Sequence, residues 1–170
     1  MLRKLDMKER ILINVEWEGP HSLGKVATLN RRTDKGLYQV YGGHPANGAG
    51  TLLYIGLAVD QTFGERIPQG GRWTTQRVEI YVGRLYGKTP DEKTWKRRIE
   101  WAERLLIYAH KPPENSQKNL GEMEKALCSV RVLNWSEHRD LLPEVSGARW
   151  VWPDERFRNY NLYGEQAKAA

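Results

Sequence analysis

The chain has 170 residues, enough for one domain, or a domain with an extension, that buries a core of its own. A hydrophobic content of 39% with seven tryptophans argues against disorder, and no apolar run approaches the roughly 20 residues of a membrane helix. The net charge of +6 points toward acidic rather than basic partners.

In chain order, residues 11–17 alternate apolar with polar side chains and predict a short strand, followed by a turn-rich stretch through Gly19, Pro20 and Gly24. Residues 36–41 and 51–58 are two β-prone runs, and GGHPANGAG at 42–50 predicts a long loop joining them as a hairpin. Residues 61–67 predict a short helix that ends by Pro68 and Gly70-Gly71, and the alternation at 77–85 predicts a third strand. Thr89-Pro90-Asp91-Glu92 predicts a helix start with Thr89 as cap and Pro90 in the first turn. Trp95, Ile99, Ala102, Leu106 and Ala109 then recur at helical spacing as one buried stripe, stopped by Lys111-Pro112-Pro113. Residues 126–133 and 147–152 predict further short strands, and 163–170 a frayed end. The expected fold is therefore α+β: a small antiparallel sheet flanked by helices. A core at 1–120 carries the N-terminal strand, and an extension at 121–170 packs on it.

Charge is unevenly placed. Through Asn119 the chain holds 20 Lys and Arg against 13 acids, a net of +7, while the remainder holds 7 against 8. A positive field over the first two-thirds suits a phosphate polyanion, because displaced counterions drive such binding. Many soluble proteins of this charge bind nothing acidic, so charge alone does not select nucleic acid. The charged N-terminus lacks an apolar stretch ahead of a cleavage site, so no secretory signal is expected. The lone Cys128 excludes an intrachain disulfide and a multi-cysteine zinc site, and reads as a small buried hydrophobe. No membrane association and a reducing, cytoplasmic setting follow as expectations.

Glu103 is the informative titratable residue. At 100° per residue it falls between Ile99 and Ile107 at the edge of the apolar stripe, where a carboxylate is uncommon unless paired or bound to a cation. Helix geometry alone leaves pairing with a nearby arginine as the plainer reading. The glycine-rich 42–50 lacks Gly-Lys-Ser/Thr and is no phosphate-binding P-loop. Lys96, Arg97 and Arg98 read as a solvated helix face, and Trp150 and Trp152 as packed edge aromatics.

Four elements together resemble the GIY-YIG nuclease superfamily, in a compact or restriction-type form. Gly36-Leu37-Tyr38 is similar to its first motif and Tyr54-Ile55-Gly56 to its second. Arg66 stands on a following short helix, and Glu103, Leu106-Ile107, Pro112 and Asn115 follow in the family's order. The resemblance covers residues 33–119. It implies a metal-dependent endonuclease, on DNA before RNA, with Tyr38, Tyr54, Arg66, Glu103 and Asn115 as catalytic residues. Glu103 is then the ligand of a magnesium or manganese ion, and Gly56, His44 and Arg72 contact nucleic acid.

In those roles Tyr38 helps activate a water, Tyr54 positions the water or phosphate, and Asn115 orients the loop after the helix. A carboxylate standing alone suits Mg²⁺, which keeps several of its waters, and arginine offers a planar fork for phosphate oxygens. Many members carry a His one turn after the arginine, where this chain has Gly70. That leaves the general base open, with His44 as a substitute. With no separate DNA-binding module evident, specificity must come from residues 42–50, from 121–170, from a homodimer or from a partner. The rival reading is a catalytically silent nucleic-acid-binding protein that retains the fold, and cleavage of RNA or single strands remains a third.

Overall fold

Side-chain alternation builds the middle of the sheet. In a computed structural model that describes residues 11–115 and 124–151, β1 (Ile11–His21) turns Ile13, Val15 and Trp17 inward and Glu16 and Glu18 outward. The strand runs on past Trp17 through the expected turn, with a register irregularity between Glu18 and His21. It can do so because Gly19 lies against the Tyr81 ring, where a Cβ would stand 2.6 Å from it. A short helix, α1 (Leu23–Val26), follows, with Ser22 as its cap.

β2 (Gly36–His44) and β3 (Gly48–Ala58) form the hairpin. The expected long loop at 42–50 is instead mostly ladder, with a tight turn at its tip. Backbone pairing needs no side chains, and positive φ at Gly48 (85°) and Gly50 (70°) makes glycine the fitting residue there. His44 closes the turn by accepting the Ala46 and Asn47 N–H groups on Nδ1, at 3.3 and 3.2 Å.

α2 (Phe63–Arg66) starts with a capping box, Thr62 and Glu65 each bonding the other's backbone N–H. β4 (Glu79–Tyr86) then leads to α3 (Glu92–His110). The helix cap is Asp91 rather than Thr89, because the Asp91 carboxylate accepts both the backbone N–H and the hydroxyl of Thr94, at 2.7 and 2.9 Å. Lys111 ends α3 in the left-handed region at φ 47°, ahead of the two prolines.

β5 (Val130–Ser136) and β6 (Glu144–Ser146) complete the sheet, and α4 (Gly147–Val151) closes the described chain. A 3-10 segment, Lys125–Ser129, takes the first half of the strand expected at 126–133. A helix takes the place of the strand expected at 147–152. Gly147 packs directly on the Leu127 carbonyl, 1.8 Å from where a Cβ would be, so the chain turns there. Trp152 and residues 163–170 lie outside the described residues. Cys128 is half-buried beside this contact rather than enclosed.

The protein is α+β, with a six-stranded, strongly curled half-barrel sheet in the order β3-β2-β4-β1-β5-β6 and one main helix. The sheet is mixed rather than antiparallel, because β5 runs parallel to β1 from Ile11↔Val130 to Trp17↔Ser136. Both faces of its first half are covered. One face packs Leu37, Tyr41 and Ile55 with Ile13, Val15 and Trp17 under α3. The opposite face packs Tyr38, Val40, Ile80 and Val82 under α1, α2 and Trp73. No helix among the described residues is long and apolar enough to cross a membrane.

Candidate active site

β3 is the outer strand of its end of the sheet, so half of its backbone groups face away from β2. Asn115 meets them. Its side-chain oxygen accepts the Ile55 N–H and its amide donates to the Ile55 carbonyl, both at 2.9 Å. The 3-10 turn Pro113–Asn115 after α3 thereby clips onto the strand edge between Tyr54 and Gly56. Asn115 is buried, as is Glu103 on α3 at 5% exposure.

Tyr38 sits directly opposite Gly56 in the β2–β3 ladder. A Cβ on residue 56 would lie 2.6 Å from Tyr38 Cζ and Oη and from Tyr54 Cε1. Only glycine lets the Tyr38 ring lie flat across the neighbouring strand, which carries its hydroxyl to the open edge. Tyr54 lies beside it, ring centroids 5.9 Å apart. Arg66, the last residue of α2, is exposed and donates to Gln69 at 3.4 Å.

These groups share one electrostatic neighbourhood. Burial pushes the Tyr38 pKa well above its ordinary value of 10.0, and Tyr54 pushes it further. The Arg66 guanidinium works against that rise, and the Glu103 carboxylate adds to it. Tyr54, Arg66 and Glu103, from one strand and two helices, are thus near enough to influence the charge of one hydroxyl, that of Tyr38. The same balance keeps the Tyr38 proton in place at neutral pH, so Tyr38 is a hydroxyl and not a phenolate there.

Arg72 forms a lid on Tyr54. Its guanidinium stands 4.4 Å from the Tyr54 ring centroid and 4.8 Å from that of Trp73. It also donates to the Glu114 carboxylate at 3.0 Å and to the Glu114 carbonyl at 3.2 Å. Sequence reasoning missed Trp73 and Glu114, since nothing local separates them from an ordinary core aromatic and a turn acid. His44 lies at the other end of β2 from Tyr38, six residues and roughly 20 Å along the strand, with Nδ1 committed to its own turn. Gly70 holds φ 76° in open space, so a side chain there has room but a strained backbone.

Among the described residues no three His, Cys, Asp or Glu side chains cluster as a ligand set. The site offers one buried carboxylate, Glu103, near an arginine and two tyrosine hydroxyls. Such a donor set suits a hard cation that retains its waters and is completed by substrate phosphate, as Mg²⁺ or Mn²⁺ is. It does not suit a closed zinc site. No protein-family model, curated protein or solved structure matches the chain.

Proposed function

We propose that the chain is a metal-dependent endonuclease of GIY-YIG type that hydrolyses phosphodiester bonds, in DNA before RNA. The observation that supports this reading is the packing of Tyr38 and Tyr54 over Gly56 within the electrostatic reach of Arg66 and Glu103, with Asn115 holding the strand edge. Glu103 is the residue that holds the cation. When bound, a divalent ion there neutralises charge on the phosphate and lowers the cost of the departing oxygen.

Hydrolysis breaks one P–O ester bond, adds the hydroxyl of water to phosphorus and delivers the water's proton to the departing oxygen. Arg66 is exposed at the mouth of the site, where its fork can take two phosphate oxygens and hold the ester. Tyr38 keeps its proton, so it orders the attacking water by hydrogen bonding rather than by removing a proton at neutral pH. Tyr54 borders the same space, and Arg72 fixes the plane of its ring. Asn115 acts on none of the reacting atoms and instead holds the strand that carries Tyr54 and Gly56.

The test is cleavage of duplex DNA, single-stranded DNA and RNA by the purified protein, with and without magnesium or manganese. Cutting of DNA only when the metal is present is expected. Binding without cutting of any of the three in either metal would replace the nuclease by a silent nucleic-acid-binding protein.

A further inference from the structure

The face of the sheet that carries Tyr38 and Tyr54 is roofed by α1, by the loop at residues 27–35 and by α2, which together form one shoulder beside the site. The pieces are locked to one another. The Gly64 and Phe63 N–H groups donate to the carbonyls of Leu29 and Asp34, at 2.9 and 2.8 Å. The Thr62 hydroxyl bonds the Asn30 side chain at 2.7 Å. Gly64 lies so close to Asn30 that a Cβ would stand 2.4 Å from its oxygen. Underneath, Val26, Phe63 and Ile67 share one apolar cluster with Tyr38. The shoulder is therefore fixed relative to the site.

Its upper surface is basic. Lys25, Arg31 and Arg32 are exposed, and none of them makes an ion pair among the described residues. The one acid of the 27–35 loop, Asp34, is buried and already held by Arg84 at 2.7 Å, with the Arg31 N–H as a second donor. Glu65 is committed to the Thr62 cap. Arg31 also feels the Asp34 carboxylate at longer range, but neither acid forms an ion pair with Lys25, Arg31 or Arg32. Arg66, at the other end of the same locked unit, lies within electrostatic reach of the Tyr38 hydroxyl. Four helical residues span about 6 Å, which is within the reach of neighbouring phosphates along one strand.

We propose that this shoulder seats the phosphate backbone flanking the cleaved bond, with Lys25, Arg31 and Arg32 as its contacts. The inference rests on the nuclease reading and supplies the binding surface that the reacting groups lack. The other basic face of the molecule is less apt. On the outer face of α3, Lys96 is paired with Asp60 and Glu92, and Arg97 lies 5.8 Å from the Trp101 ring centroid.

The experiment measures equilibrium binding to a duplex oligonucleotide in metal-free buffer over a range of salt. It compares the wild type, the triple variant Lys25→Gln/Arg31→Gln/Arg32→Gln, and a control with Lys93→Gln/Arg97→Gln. The triple variant is expected to lose at least tenfold in affinity at low salt. Its slope of log affinity against log salt should become shallower by about 2 to 3, near 0.9 per lost phosphate contact. The control is expected to keep the wild-type slope, and all three proteins the same melting temperature. An unchanged slope in the triple variant overturns the proposal. So does, in a parallel arm with anionic phospholipid vesicles, a loss seen there and not with the duplex, which would assign the shoulder to a membrane surface. If the wild type cuts with magnesium and the triple variant keeps its slope, the shoulder fails and the nuclease stands. If the triple variant's slope becomes shallower yet the wild type never cuts, the reverse holds.

Discussion

Two buried asparagines sit at opposite ends of the sheet, and they differ in company rather than in kind. Asn134 on β5 accepts the Trp17 indole N–H at 2.9 Å and donates to the Leu142 carbonyl at 2.7 Å, tying the β1–β5 end to the segment ahead of β6. Asn115 makes the same two kinds of bond to Ile55 at the β3 edge. Both are 4% exposed. Around Asn134 the neighbours are Trp17 and aliphatic core. Beside Asn115 stand Tyr54, next to the bonded Ile55, and Arg72, which bridges the Tyr54 ring and the adjoining Glu114. A buried, satisfied polar group is thus no sign of chemistry by itself. On the proposed reading, what sets the β3 end apart is a buried carboxylate, Glu103, and an exposed arginine, Arg66, that both act on the Tyr38 hydroxyl.

The largest effect belongs to the charged end. Glu103→Gln keeps shape and removes the carboxylate proposed to anchor the cation, which at roughly 1.4 kcal/mol per tenfold should cost on the order of a thousandfold in cleavage. Binding of nucleic acid should persist. Markedly lower melting of this variant would instead make Glu103 a structural partner.

The asparagine pair sharpens the contrast. Removing either leaves buried backbone or indole groups without partners, so Asn115→Ala and Asn134→Ala should each lose about 1–3 kcal/mol of stability, read by denaturant melts. Only Asn115→Ala should also lose activity per folded molecule, by about tenfold or more, because the Tyr54–Gly56 edge is no longer held. Equal activity in the two variants would erase the distinction drawn here. Gly56→Ala forces the Tyr38 ring off the strand, and overpacking of this kind costs about 1–3 kcal/mol. Cleavage should fall with it, more than in an Ala substitution of exposed Gly43, where nothing lies within 4 Å.

The smallest effects are on pH stability. Burial raises the Tyr38 and Tyr41 pKa values in the folded protein, so their contribution is complete below the ordinary value near 10 and is lost as pH rises beyond it. Burial lowers that of His110, whose Nδ1 faces the Leu106 carbonyl and whose Nε2 accepts the Leu142 N–H. Its contribution is present above about 6.5 and is lost as pH falls. Melting temperature against pH should therefore decline at both ends, with Tyr38→Phe lessening only the alkaline decline.

Local pattern made much of this legible. Residue alternation gave β1 and β4, the helical stripe gave α3, and the two β-prone runs at 36–41 and 51–58 gave the hairpin that carries the candidate site. What stayed hidden depends on distant pairing. The parallel bond between β1 and β5 joins residues more than 110 apart, and no periodicity records it. Arg72 stood out as a cation, but its bridge from Tyr54 to Glu114 appears only once the turn after α3 is folded back on β3. A ladder replaces the expected loop at 42–50 because glycine, which weakens a strand by its freedom, also fits ladder ends and a tight turn.

Nicking of supercoiled plasmid by the wild-type protein, with Glu103→Gln alongside at the same concentration, tests the central claim most directly. The account predicts open-circular product only when magnesium or manganese is present, and only from the wild type, while both proteins retard the plasmid on a gel. Plasmid left intact by the wild type in both metals, or nicked by Glu103→Gln at the wild-type rate, would contradict it.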